Sequence, residues 1–279
     1  MAKAVFYFSA ALSVVAVFLI SWFVFRHSIP AIKEIGLGHF LFGAVWSPTN
    51  GQYGILPMIA ASVVVTSGAV LIGVPVGILS AVYLAYYCPT KMKPFFRVGI
   101  NLLSGIPSVV YGLWALEGIV PAIRRMFGGF GLSILAGILL LGVMILPTII
   151  ALTQAALTAV PEHYFMGAIA LGASRERAIF SVVLPAARSG VFAAVILGIG
   201  RAVGETMAVQ MVIGNMALMP SSLIKGARTL TTNIVMEMAY APDGVHRSAL
   251  IATGAVLFVF ILLLNSVLQW IRSKRGVRR

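Results

Sequence analysis

The sequence predicts an all-α, polytopic membrane protein with about six transmembrane helices. Composition is the first reason: of 279 residues, 60% are hydrophobic and only 10% charged, and the mean hydropathy is +1.03, far from the balance of a soluble domain. The second is length. A spanning helix needs roughly 20 mostly apolar residues to cross a hydrocarbon core of about 30 Å. Six stretches qualify: Ala4–Phe25, Ile55–Tyr87, Val98–Ile123, Leu132–Val160, Val191–Ile213 and Ala249–Ile271. Helices are the expected form because lipid offers backbone N–H and C=O groups no partner. The net charge of +13 does not point to nucleic acid, since the basic residues are spread over loop ends and the tail with no basic face and no interleaved aromatics.

The first stretch follows Lys3. Its apolar run is too long for a signal-peptide core and no small-residue cleavage pattern follows, so it reads as a retained anchor. With the N-terminus inside, the cytoplasm receives Lys3, Lys91, Lys93, Arg97, Arg175, Arg177, Arg188 and the five basic residues of 272–279, twelve in all. The outside receives seven: Arg26, Lys33, Arg124, Arg125, Lys225, Arg228 and Arg247. That bias places both termini in the cytoplasm, with Arg124 and Arg125 against it. The segment "FLFGAVWSPTNGQYG" (40–54) then lies outside. Cys88, the only cysteine, excludes an internal disulfide and reads as packing near a membrane surface.

Pro75, Pro107 and Pro147 fall within apolar stretches, where each removes a backbone hydrogen bond and favours a kink. Kinks with many small residues favour a tightly packed bundle. The longest inner segment, Pro161 to Gly190, has apolar residues at helical spacing on both sides of "LGAS". Gly172 is placed to end one helix at a close-packed turn, and Ser174 to cap the next. This predicts a helix–turn–helix outside the bilayer, or an amphipathic pair lying on its surface.

Within "GRAVGETMAVQMVIGN" (200–215), Arg201 lies ten residues after Val191. At 1.5 Å per residue that is roughly 15 Å in, near the midplane, where a charge is least favourable and generally faces a pathway. Glu205 is expected one turn later on the same helical face. The two form either a self-neutralising i,i+4 pair or part of a substrate path. Glu117, near the outer end of its span, reads as a solvated carboxylate.

No G-x-x-x-x-G-K-[ST] phosphate loop is present, so ATP hydrolysis is not expected of this chain. His27, His39, His163 and His246 are far apart, without H-E-x-x-H or a cysteine cluster, and no metal site is predicted. Ser108 and Ser174 lack a visible base and read as caps or packing residues.

Segment 161–190 resembles the cytoplasmic loop of ABC-importer permeases. That family's EAA motif is followed four residues on by a glycine, then ten residues further by an apolar position separated from a proline by two residues. Ala168, Gly172, Val182 and Leu184-Pro185 fit that frame, while the first two motif positions hold Met166 and Gly167. The words "GIPSVVYGL" (105–113), "GRAVGETMAV" (200–209), "VIGN" (212–215) and "RTLTTNI" with Glu237 resemble the phosphate-importer permeases, PstC more than PstA. The resemblance runs from about Trp46 to the last helix.

It implies a type I ABC-importer permease fold in a prokaryotic cell membrane. The permease core is then 55–271 with its coupling loop at 161–190, preceded by a first helix and extracytoplasmic segment (1–54) and followed by a basic cytoplasmic tail (272–279). It also implies half of a phosphate path, with Arg201 and Glu205 on it, and ATPase coupling through Ala168, Gly172, Ala173 and Ser174. The implied partners are a second, PstA-like permease, two copies of a PstB-like ATPase, a PstS-like extracytoplasmic phosphate-binding protein and membrane lipid, without nucleic acid. No cofactor is bound by the chain, ATP being used by the partner ATPase. A permease for another oxyanion, a secondary transporter or channel, and a membrane enzyme are the other classes. The second usually shows paired inverted halves, which the sequence does not display.

Overall fold

The computed structural model describes residues 2–276, without the side chains of residues 2, 4, 268 and 271–276. Of the basic tail, Arg278 and Arg279 lie outside the described residues. In chain order, α1 (Ala2–Ile35) and the short α2 (Leu37–Phe42) lead into a hairpin of β1 (Trp46–Ser47) and β2 (Gln52–Tyr53). Next come α3 (Leu56–Val82) with a π-helical turn at Tyr83–Tyr87, α4 (Lys93–Gly105), α5 (Ser108–Glu117), α6 (Ile119–Phe127) and α7 (Ile134–Thr158). They are followed by α8 (Glu162–Ala170), α9 (Arg175–Ala178), a second π-helical turn at Ile179–Val183 and α10 (Leu184–Ala186). The last elements are α11 (Arg188–Gly204), α12 (Met207–Val212), α13 (Leu230–Met238) and α14 (Val245–Gly276).

Two compact units form. One joins the chain up to Ser62 with Asn215–Pro220 and Ala227–Leu262; the other holds Val63–Gly214, Ser221–Gly226 and the chain from Leu263. In the first unit, α1 exposes Phe6, Phe8, Leu12, Phe18 and Trp22 along its length, as a helix does when lipid rather than water faces it. Within segment 40–54, residues 46–53 form a hairpin with Trp46 opposite Tyr53. Its turn closes on Gly51, at φ 67°. Phe40, Trp46, Ile55 and Met58 share a core with Leu230, Ala249 and Leu250. Thr229 opens α13 with a reciprocal capping box: its hydroxyl accepts from the Thr232 amide, and the Thr232 hydroxyl accepts from the Thr229 amide.

In the second unit α7 is the buried spine. Its N-terminal amides, which have no partner inside the helix, find the Ser133 hydroxyl and the carbonyls of Lys225 and Leu223, at 3.0 and 2.8 Å. Gly68, Gly73 and Gly77 of α3 face Ile138, Ile145 and Ile149 of α7, so the missing side chains make room for the isoleucines. Cys88 is buried among Val82, Leu84, Leu157 and Ile179.

Among the described residues, four helices are long and apolar enough to span singly: Val5–Ile35, Leu56–Tyr87, Ile134–Thr158 and Val245–Val267. The third and fifth expected spans are not single helices. In the third, Lys93–Gly105 meets Ser108–Phe127 at a 97° bend; in the fifth, α11 ends at Gly204 and α12 starts at Met207, while the 73° bend between Arg175–Ala186 and Arg188–Gly204 falls ahead of its expected start at Val191. Pro107 accounts for the first bend: lacking an N–H, it cannot bond the Leu103 carbonyl, which instead accepts from the Tyr111 hydroxyl at 2.7 Å. At Pro75 and Pro147 the helices continue.

Candidate functional site

Arg201 stands in the last turn of α11, where the negative end of the helix dipole favours a cation. It is half-buried, and its Nη1 donates to the Thr148 hydroxyl of α7 at 3.3 Å. That contact engages one of five N–H donors in a planar fork suited to oxyanions.

Glu205 departs from the expected placement. Helix α11 ends at Gly204, and Glu205 is extended, with φ −70° and ψ 128°, so the two charges do not share one continuous helical face. The Glu205 carboxylate turns to the start of α12 and accepts from the Ala208 amide at 3.2 Å. A carboxylate there takes up an amide that the short helix leaves free, which stabilises the break. Irregular backbone at membrane depth is tolerated only where it is buried in protein or lines a water-filled cavity. The break and Arg201 are one turn apart. Glu117 is the exposed last residue of α5.

The other expected site residues come together in a helix stop and restart. The Ala173 amide donates to the Ala168 carbonyl at 3.1 Å and the Gly172 amide to that of Ile169 at 2.9 Å, the paired bonds of a Schellman closure. Gly172 has φ 86°, and a Cβ built there meets nothing within 4 Å. The turn is therefore not close-packed, as the sequence predicts; glycine is required for its backbone angle. Ser174 then caps α9, accepting from the Arg177 amide at 3.3 Å. Leu171 is 90% exposed at the tip, with Met166 and Ile169 also exposed.

Arg175 ties this restart to the π-helical turn after α3. Its Nη2 donates to the Tyr86 carbonyl, and its guanidinium lies 5.0 Å from the Tyr87 ring centre. The Tyr87 hydroxyl reaches Glu176 at 3.5 Å. The Glu176 carboxyl is held below the ordinary carboxylate range, chiefly by its own backbone N–H and then by the Ser174 hydroxyl.

The first unit holds a polar cluster that the sequence did not assemble. Glu237 accepts from Arg228 at 2.5 Å and Trp46 at 2.9 Å, and pairs with His246 Nε2 at 3.0 Å. Arg228 also donates to the Asn233 side chain and the Asn215 carbonyl, both at 3.1 Å. The signal available was the charged pair in "RTLTTNIVME"; Trp46, 191 positions from Glu237, gave none.

Residues 69–277 match the family described as "binding-protein-dependent transport system inner membrane component". The chain belongs to this family of ABC-importer permeases, multi-pass membrane subunits that work with a separate ATPase and a substrate-binding protein. It is 41% identical over 242 residues to the probable ABC transporter permease YqgH of Bacillus subtilis, covering 85% of this chain and 78% of that one. It is 31% identical over 275 residues to the phosphate transport permease PstC of Mesorhizobium japonicum, covering 91% and 84%. A bacterial alginate ABC transporter shares the fold, with a TM-score of 0.65, 15% identity and coverage of 95% and 93%. The architecture is the type I permease fold.

Proposed function

We propose that this chain forms half of the pathway of an ATP-driven importer of inorganic phosphate, with Arg201 and Glu205 on the path. Arg201, one turn from a helix break inside an apolar segment, carries the reading; likeness to PstC relatives supplies the substrate. Both termini and the 161–190 loop then face the cytoplasm. The core is 55–271, the 1–54 segment carries the first helix and the extracytoplasmic hairpin, and 272–279 is the basic tail. A PstA-like permease completes the path, two PstB-like ATPases dock on the turn of Ala168, Gly172, Ala173 and Ser174, and a PstS-like protein delivers the ion. The chain binds no cofactor; ATP is consumed by the ATPases.

On arrival the anion takes the remaining donors of Arg201. Glu205 accepts the hydrogen bond of the proton that phosphate keeps near neutral pH and sulfate lacks, and its negative charge keeps the anion from being held too tightly to leave. Phosphate uptake by assembled complexes is the test. Arg201→Gln and Glu205→Gln should each cut uptake at least tenfold with assembly intact, on the roughly 1.5–3 kcal/mol of a charged hydrogen bond, and Arg201→Lys should not restore it. Normal uptake in both glutamine variants would refute the assignment. YqgH carries no substrate in its name, so a permease for another oxyanion is the second reading; faster uptake of sulfate than phosphate would favour it.

A further inference from the structure

The second unit has a cleft between α4 and α7 whose lining does not include Arg201. Arg97 and Asn101 line it one turn apart on α4, Gln154 and Thr158 one turn apart on α7, and its volume is about 250 Å³. Ala151 and Ala155 form the α7 wall, and their small side chains leave the space open. This is below the roughly 300–1,000 Å³ of pockets for drug-sized ligands, and suits a small polar group.

We propose that this cleft binds a phosphate group, held by the Arg97 guanidinium and the side-chain amides of Asn101 and Gln154. The lining contains one cation, two amides and a hydroxyl, and no carboxylate, so its net charge selects an anion. Arg97, Asn101 and Gln154 make no side-chain hydrogen bond or ion pair among the described residues. Their donors therefore stay available. The negative end of the α7 dipole opposes an anion here, and Thr158 blunts it by donating to the Gln154 and Ala155 carbonyls at 3.0 and 3.1 Å. A planar guanidinium makes paired bonds to phosphate oxygens, and amides supply further donors without adding charge.

The cleft opens at the end of α7 that leads into the 161–190 loop. Two sources bring a phosphate group there: the free ion leaving the pathway, and a phospholipid headgroup. The second is attractive because α4 exposes Phe95, Val98 and Leu102 beside the cleft, an apolar surface for an acyl chain. The site does not depend on the role of Arg201.

The test uses the assembled complex, stripped of lipid in neutral detergent, in an Arg201→Gln background that removes the other candidate site. Equilibrium dialysis with radiolabelled inorganic phosphate forms one arm. Native mass spectrometry after adding phosphatidylglycerol or phosphatidylcholine forms the other. Arg97→Gln should weaken binding of one ligand roughly tenfold or more, as loss of a charged contact does, and Gln154→Leu should weaken the same ligand. Loss of phosphate binding assigns the free ion, and loss of phosphatidylglycerol with phosphatidylcholine unchanged assigns the lipid. If neither variant changes either ligand, the proposal is overturned. Uptake by Arg201→Gln, measured separately, reports on the transport reading alone.

Discussion

Gly172 makes the difference between a residue's type and its reason plain. Its place at a helix end was legible because a glycine followed by a serine two positions on is a stop-and-restart signal. The crowding expected around it was not, since crowding depends on neighbours brought in by folding; a Cβ there meets open space. What remains is φ 86°, which disfavours an L side chain by roughly 1–2 kcal/mol and a β-branched one most of all. Gly172→Val should therefore insert and assemble but lose coupling between transport and ATP hydrolysis. Gly172→Asn, whose side chain tolerates the left-handed region, should keep more of it. Transport-linked ATPase activity of reconstituted complexes separates the two, and equal coupling in both variants would contradict a backbone origin. Arg201 and Glu205 repeat the lesson. Counting residues set an expectation for the depth of the charges, whereas the helix break between them is stabilised by the Glu205 carboxylate accepting from the Ala208 amide, which periodicity does not register.

At the scale of elements, six apolar stretches were readable from length alone, yet among the described residues only four of them are single helices. Pro75, Pro107 and Pro147 look alike in sequence. Only Pro107 coincides with a break, because Tyr111 stands where its hydroxyl can take over the Leu103 carbonyl. Helix pairing was equally hidden. Glycines on α3 promised close packing without naming a partner, and that partner is α7. A Cβ at Gly73 would lie 2.6 Å from Ile145 Cδ1 and 2.9 Å from the Gly142 carbonyl oxygen. The isoleucine tip can move aside; the backbone carbonyl of a packed helix cannot. Gly73→Ala should therefore destabilise the protein by about 1–3 kcal/mol through overpacking. Gly99→Ala, on α4 with nothing within 4 Å of the new Cβ, should be neutral or gain up to roughly 1 kcal/mol from helix propensity. Thermal unfolding of the purified protein compares them directly, and matching midpoints would dismiss the close approach of α3 and α7.

Across the whole chain, the family match begins at residue 69, which makes the first 54 residues look like an appendage to a self-sufficient core. The first unit argues otherwise, because its core is built from both ends of the sequence: Ala31, Phe40, Trp46 and Ile55 pack with Leu230, Ala249 and Leu250. Polar contacts follow the same plan, with Trp46 of the hairpin, Arg228 before α13 and His246 at the start of α14 all meeting on Glu237. No pattern along the chain announces a contact over 191 positions, so the sequence alone gives segment 40–54 no partner within the fold. Glu237 is 21% exposed and Arg228 15%, so this pair is shielded from solvent more than a surface ion pair but is not fully buried. Removing the carboxylate leaves Arg228 without its counter-charge, and a loss of about 2–4 kcal/mol is expected, toward the lower end of what breaking a buried pair produces. Glu237→Ala should thus free the hairpin, seen as faster proteolysis within residues 46–53 together with a lower unfolding midpoint. Glu237→Gln should fall between it and the parent, since one amide oxygen can still accept from Arg228 or Trp46. Trp46→Phe keeps the ring in the core and loses one donor, worth about 1 kcal/mol. Unchanged proteolysis of the hairpin in Glu237→Ala would show that apolar packing alone holds it in place.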